Sequence, residues 1–346
     1  MAKKPTQRKT PTKTKASRSK KSVAKKTPAS QPTRRKRARK SALQEHFEKA
    51  GMSFGQSGLQ IRRTFEKLVG KERSRAFFHF QLSGALGASF REALFPLSPG
   101  RGAGGSSDDK RSELSTAKTP YDLLHNAKEF NAWASYDSYI ILPASKWLCE
   151  QVKPIATAGR RVGDLGCGGG MLAGWLALRH PECEVVGFDS IPRILAFAAE
   201  TQQAPNLRFV EWDYANYFCP LRKKFDVLVS CLGIPYEKYE LADNGLQNYF
   251  QTWRAVIRDG GILAIVVGLN SQSDFIARVQ AGCEQGWKFI PERSKRLRPR
   301  TGKRYDKDYE APRYYAMVFE ARKSRPPKEA DLLLHWAGKT PLQKNA

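Results

Sequence analysis

The chain has 346 residues, enough for one or two domains with a substantial core. Lys and Arg number 60 against 33 Asp and Glu, a net charge of +27 that bears on polyanionic partners rather than on the fold. The 6 cysteines show no CxxC and no paired spacing, which argues against a disulfide framework or a cysteine-rich zinc site; reduced thiols in an intracellular, cytoplasmic setting (nuclear in a eukaryotic host) are expected.

The charge is uneven along the chain. Residues 1–41 carry 17 Lys/Arg and no acid, and Val23 is their only large aliphatic residue after Met1. Such a segment cannot bury enough surface to offset its ordering entropy, so a disordered basic tail is expected, with nucleic acid as its natural partner. No apolar stretch of signal-peptide type follows it. Residues 42–96 read as a helical N-terminal extension, with Ile61, Phe65, Leu68 and Val69 on one face. The most apolar run, "AFFHFQLSGALGASFREALF", is interrupted by His79, Gln81, Ser83 and Ser89, so a buried helix is expected and not a membrane span. Residues 97–120, rich in Gly, Pro and Ser, read as a flexible linker.

From Tyr121 the pattern becomes helix–strand alternation. A helix over 121–152 precedes β-rich runs at 161–165, 184–189, 208–212, 225–231 and 262–267, with helical segments at 171–179, 191–200, 246–257 and 273–285. Alternation of this kind predicts an α/β domain over 121–326, a mostly parallel sheet with helices on both faces. Residues 287–290 and 313–321 form a last strand pair around a basic loop, and 327–346 read as a C-terminal tail.

The chemistry concentrates in "RRVGDLGCGGGMLAGWLALRHPECEVVGFDS", residues 160–190. Gly166, Gly168 and Gly170 let the chain turn sharply at a strand end and leave backbone N–H groups bare for a ligand. Asp189 ends the next strand, from which a carboxylate can accept bonds from ribose hydroxyls. A nucleoside across the loop is the simplest reading. Asp164, just before the first glycine, disfavours a pyrophosphate and favours a cationic group. Gly168, Gly170 and Ala173 alone would also suit a dinucleotide, which keeps a nicotinamide-dependent oxidoreductase as an alternative.

Taken together, these motifs resemble the class I S-adenosylmethionine-dependent methyltransferases, a Rossmann-like family, over roughly residues 121–322. The resemblance is carried by "VGDLGCGGG", "VVGFDS", "VEWDYA", "FDVLVSCLG" and "WRAVIRDGGILAIVV", in order. It implies a seven-stranded sheet with an antiparallel seventh strand, and S-adenosyl-L-methionine as cofactor. It further implies an adenine contact at Asp213 and a methionine moiety over Ser230 and Cys231. The loop after the fourth strand has Gly233-Ile234-Pro235-Tyr236 where amino-methylating members carry a polar residue and two prolines. Tyr236, Glu237 and Tyr239 are candidate acceptor-site residues. No general base and no metal ligands are evident, and in-line transfer needs neither, because the cofactor carries the electrophile.

Residues 293–307 are rich in Lys and Arg and are flanked by Trp287, Phe289, Tyr305 and Tyr309, a combination of cations and aromatics that suits RNA. The acceptor is therefore expected to be RNA or a ribonucleoprotein, with a small molecule as the alternative. A non-catalytic nucleic-acid-binding scaffold is a further reading, since a fold alone does not fix the chemistry.

Overall fold

The computed structural model describes residues 58–83, 120–213, 219–233, 245–268, 271–297 and 314–338, with backbone alone at 58–59, 78–83, 120, 139 and 140. The chain divides into two units, Met1–Lys40 and Ser41–Ala346. The first unit, which holds nearly all of the expected basic tail, lies outside the described residues, as do the expected linker up to residue 119, Tyr236, Glu237, Tyr239 and the basic stretch 298–307.

Among the described residues two short helices come first, α1 (Gly58–Val69) and α2 (Lys71–Ser83). The break between them is Gly70, whose φ of 90° is a conformation that β-carbon-bearing residues rarely adopt. Ile61, Phe65 and Val69 face inward at a spacing of four, whereas Leu68 falls outside that stripe and is 42% exposed, contrary to expectation. A 3₁₀ turn (Pro120–Leu123) leads to the long helix α3 (Ala127–Val152). The single helix expected over 121–152 is thus broken, because Asn126 takes an extended backbone and caps α3 by accepting the Glu129 N–H.

The described strands are β1 (Arg161–Leu165), β2 (Glu184–Asp189), β3 (Leu207–Glu211), β4 (Phe225–Cys231), β5 (Ile257–Gly268), β6 (Lys288–Phe289), β7 (Lys295–Leu297) and β8 (Tyr314–Glu320). The helices among them are α4 (Met171–Arg179), α5 (Pro192–Thr201), α6 (Gly245–Val256) and α7 (Gln272–Glu284). The sheet order is β3-β2-β1-β4-β5-β8-β6, with β7 also paired to β8. β1 to β5 are parallel and β8 runs antiparallel to β5.

The sheet has eight strands rather than the seven expected. The difference lies at one edge. β6 pairs with the end of β8 at Phe319–Glu320 and β7 with its start at Tyr314–Ala316, so the outer edge comes in two pieces. Pro291 and the 3₁₀ turn Pro291–Arg293 separate them, since proline cannot donate to a ladder.

Alternate strand residues feed two cores. Val162, Val185, Val227, Val229 and Ala264 pack under α3, α4 and α5, with Phe65 and Phe77 of the N-terminal helices joining that side. Val186, Phe188, Leu228, Leu263 and Met317 pack under α6 and α7 on the opposite face. A further helix, α8 (Glu329–Trp336), occupies part of what was expected to be a tail. It docks because Leu332 and Trp336 are buried, Trp336 stacking on Tyr315 at 5.3 Å.

The end of the sheet opposite the strand C-termini is held by charge. Asp226, 1% exposed, accepts from the Arg161 N–H (2.8 Å) and pairs with Arg160 (2.6 Å) and Arg258 (2.9 Å). Arg258 reaches it because residues between Ile257 and Ile262 bulge out of the β4–β5 ladder. Asp226→Ala should destabilise the fold by about 2–3 kcal/mol, read from urea unfolding, since it strands a buried N–H and two guanidinium groups.

Candidate functional site

The strand order reverses between β1 and β4, and in open α/β sheets a crevice forms beyond the carboxyl ends at such a point. The glycine loop lies there. Gly166, Gly168 and Gly170 have φ of 66°, 50° and 76°, all left-handed. At Gly170 space forbids a side chain as well, because a β-carbon would stand 2.6 Å from the Phe209 ring. Across the crevice, a β-carbon on Gly233 would overlap the Leu165 carbonyl oxygen and crowd the Gly166 Cα. The preceding Leu232 carries a φ of 58°, a strained conformation for a branched side chain and one that clusters at functional rims. Ser230 ties the same strand end to β1 by donating to the Leu165 carbonyl at 2.8 Å.

Asp189 joins two loops. One carboxylate oxygen accepts from the Gly168 N–H (3.0 Å) and the other from the Ile191 N–H (3.1 Å). Burial nevertheless pushes its pKa above the usual carboxylate range, against the backbone donors of Gly168, Ile191 and Ser190. Asp164 is 1% exposed and divides its oxygens between two tasks. The carboxylate accepts from the Ala173 N–H in the first turn of α4, yet Oδ2 has no hydrogen-bond partner. Burial, with a smaller push from the Asp189 charge, raises the Asp164 pKa to about 8. Arg160 and Arg161, its nearest cations in sequence, are engaged elsewhere, with Asp226 and Glu184.

The structure thus brings Asp164, Gly166, Gly168, Gly170, Asp189 and Cys231 to one rim. Asp213 lies at the same edge, exposed, just beyond Trp212, whose N–H donates to the Asp189 carbonyl at 3.0 Å. The Cys231 thiol is pushed well above its usual pKa by burial first and by the charges of Asp137 and Asp164, so it stays protonated and is no nucleophile.

One residue of α3 meets the glycine loop without having been expected there. The Trp133 ring lies 3.4 Å from where a β-carbon of Gly169 would stand, covering the glycine loop. Asp137, one turn further along α3, has its pKa raised to about 7 by burial. The available signal was a lone carboxylate four residues after a tryptophan in an otherwise apolar helical stripe. Its meaning depends on where α3 docks, which is a long-range matter. Among the described residues, no group of three or more His, Cys, Asp or Glu is placed to hold a metal ion, and no helix is long and apolar enough to cross a membrane.

A switch-point crevice with a left-handed glycine loop and buried acids at successive strand ends is the arrangement at which open α/β sheets bind nucleotides. Residues 162–261 match the family of methyltransferase domains. The matched residues run from β1 into β5 and include the glycine loop and Asp189. The chain is 37% identical over 149 residues to trans-aconitate 2-methyltransferase of Deinococcus radiodurans, covering 43% of this chain and 49% of that protein. It is 27% identical over 176 residues to a release factor glutamine methyltransferase of Buchnera aphidicola, covering 49% and 63%. The chain therefore spans from about half to under two thirds of the length of these relatives. Among solved structures, a TehB-like S-adenosylmethionine-dependent methyltransferase from Corynebacterium glutamicum superposes with a TM-score of 0.39 at 18% identity, over 57% of this chain and 100% of that one.

The buried acids carry a pH consequence. An aspartate in the unfolded chain releases its proton near pH 4, whereas folded Asp164 and Asp137 keep theirs to about 8 and about 7. The folded state then binds more protons than the unfolded one, so stability falls as pH rises through these values. The protein without ligand should melt several degrees lower at about pH 8.5 than at about pH 6.5, and Asp164→Asn should flatten that slope. Thermal scans across this range check it.

Proposed function

We propose that the protein is an enzyme that transfers a methyl group from S-adenosylmethionine to an acceptor. The observation that carries this reading is the unpartnered Oδ2 of Asp164, buried at a strand end beside a glycine loop free of side chains. A buried carboxylate oxygen without a donor is costly, and an ammonium group is the partner that suits it. When bound, the cofactor supplies an electrophilic methyl group on a sulfonium. The residues of the chain fit that group. Asp189 keeps lone pairs for ribose hydroxyls, Asp164 Oδ2 would face the ammonium, and the bare N–H groups before α4 suit an anionic end. Asp213 stands at the edge where an adenine amino group would lie, and Ser230 and Cys231 floor the methionine side. Their task is alignment and exclusion of water.

The proposed acceptor is RNA or a ribonucleoprotein. Two cation-rich stretches support it, residues 1–41 and 293–307, with Tyr236, Glu237 and Tyr239 as acceptor-site candidates. The 37% identity to a trans-aconitate methyltransferase favours a small-molecule acceptor as the second reading.

Asp189→Ala should weaken S-adenosylmethionine binding about 10- to 100-fold by calorimetry, since it removes a charged acceptor from ligand and loop alike. Unchanged affinity would take Asp189 out of the site, and a thermal shift with NAD but none with S-adenosylmethionine would overturn the whole reading. For the acceptor, deletion of residues 1–41 should flatten the dependence of log K on log salt for RNA. An unaltered slope would leave the tail without that role.

A further inference from the structure

The end of the sheet opposite the crevice carries an excess of positive charge that the fold itself holds in place. Where β4 and β5 begin and β8 ends, seven cations stand with three acids. The cations are Arg222, Lys223 and Lys224 before β4, Arg254 and Arg258 around the start of β5, and Arg322 and Lys323 after β8. The acids are Asp226, Asp259 and Glu320.

The backbone brings these residues together. The Ala321 N–H donates to the Gly261 carbonyl (2.8 Å) and the Gly260 N–H to the Ala321 carbonyl (3.0 Å), which seats Arg322 beside the β5 bulge. A β-carbon on Gly286 would stand 3.6 Å from Arg254 Nε and 3.9 Å from Lys323 Cγ, so those two side chains are neighbours. Arg254 pairs with Asp259, on whose carboxyl Lys224 also acts. The buried Asp226 takes Arg160 and Arg258 on a single oxygen, which leaves one positive charge over. Arg222, Lys223, Lys224, Arg322 and Lys323 are exposed and form no ion pair with a described residue.

Adjacent strands lie about 4.8 Å apart, so Arg160, Lys224, Arg258 and Arg322, at the ends of β1, β4, β5 and β8, form a row about 14 Å long. A regular row of cations fits a regular row of anions, which is what a nucleic-acid strand presents. The large apolar side chains exposed among the described residues are Leu68, Leu178 and Leu334, none of them on β4, β5 or β8. Nothing in the row would therefore enter a lipid layer. The nearby rings of Phe225, Trp253 and Trp287 are fully buried and offer no platform for unpaired bases. The chemistry that remains is contact with the phosphates of a duplex, without reading its sequence.

We propose that this end of the sheet binds the phosphate backbone of duplex RNA through Arg222, Lys223, Lys224, Arg322 and Lys323. The choice of RNA rests on the acceptor reading above; the surface itself does not. β1 and β4, of 5 and 7 residues at about 3.3 Å each, put the surface about 20 Å from the rim. It therefore anchors RNA away from the reacting atoms, and affinity for RNA separates from the chemistry.

The test uses the full chain and a fluorescent RNA hairpin of about 20 base pairs, with anisotropy read from about 50 to 300 mM salt. Residues 1–41 are present in every variant, so their contribution cancels. Lys223→Gln, Lys224→Gln and Lys323→Gln combined should lower the slope of log K against log salt by about 2 to 3. At about 100 mM salt the same variant should bind at least about tenfold more weakly. A control that removes three exposed cations elsewhere, Lys67→Gln, Lys128→Gln and Lys146→Gln, should change the slope by less than about 1. Calorimetric affinity for S-adenosylmethionine should match the wild type in both. An unchanged slope in the first variant overturns the proposal, and so does an equal fall in both, which makes net charge the cause. Tighter binding of a DNA duplex of the same sequence overturns the choice of RNA. Loss of binding to phosphatidylserine vesicles with RNA binding intact overturns the proposal as well. Where the triple variant does not fold, the three single variants decide, each taking about 1 from the slope. RNA that takes up no methyl label while the variant loses affinity sinks the acceptor reading and leaves the surface. Labelled RNA bound equally by all variants sinks the surface alone.

Discussion

The rim of the sheet depends on the carboxylate of Asp189. By accepting from Gly168 and Ile191 at once, it fastens the loop after β1 to the turn after β2. Neither loop has many other means of holding its shape. Glycines give up more backbone freedom on ordering than other residues, and a left-handed run of them needs outside partners. Further backbone bonds reinforce the clamp, from Cys167 N–H to the Phe188 carbonyl (2.7 Å) and from Trp212 N–H to that of Asp189 (3.0 Å). β1, β2 and β3 therefore end in register, and their ends make a surface rather than loose turns. One residue so organises the loop and also lies where a ribose would.

The roof of the site is set from outside the sheet. Arg73 on α2 donates to the Leu123 carbonyl (3.1 Å) and to both oxygens of Glu129 (3.1 and 3.2 Å), in the first turn of α3. Burial pushes the Glu129 carboxyl up, but the His125 N–H and the Arg73 guanidinium outweigh it and leave the group below the usual range. Phe77 and Tyr121 pack on Trp133, with ring centroids 6.4 and 4.9 Å away. The N-terminal helices thereby fix the rotation of α3, which decides that Trp133 meets the glycine loop. The extension is a brace for the site as well as additional core.

Much of the sheet was legible because each signal is local. β1, β2 and β4 have the bounds that β-rich runs between glycines and charged residues predict, and α4 begins directly after the glycine loop. Asp164 and Asp189 stand out as acids at strand ends. What was not legible depends on contacts distant in sequence. Asp137 looks like any polar residue of an amphipathic helix until α3 is laid across β4. The split edge strand has pieces of 2 and 3 residues, too short for a period-two pattern to register. In α8 the apolar residues follow a run of charges, and only docking against Tyr315 and Phe275 separates it from a tail.

The two ends of the sheet treat charge in opposite ways. At the N-terminal ends of the strands acids are neutralised: Asp226 by Arg160 and Arg258, Glu184 by Arg161 and Arg208. At the C-terminal rim Asp137, Asp164 and Asp189 have no ion-pair partner among the described residues, in a protein with a net charge of +27. Burial keeps Asp164 and Asp137 protonated up to about 8 and about 7, and a cation brought into the crevice would draw them into the charged form. Such a crevice selects for a ligand that brings its own positive charge, and a sulfonium and an ammonium on one molecule meet that demand.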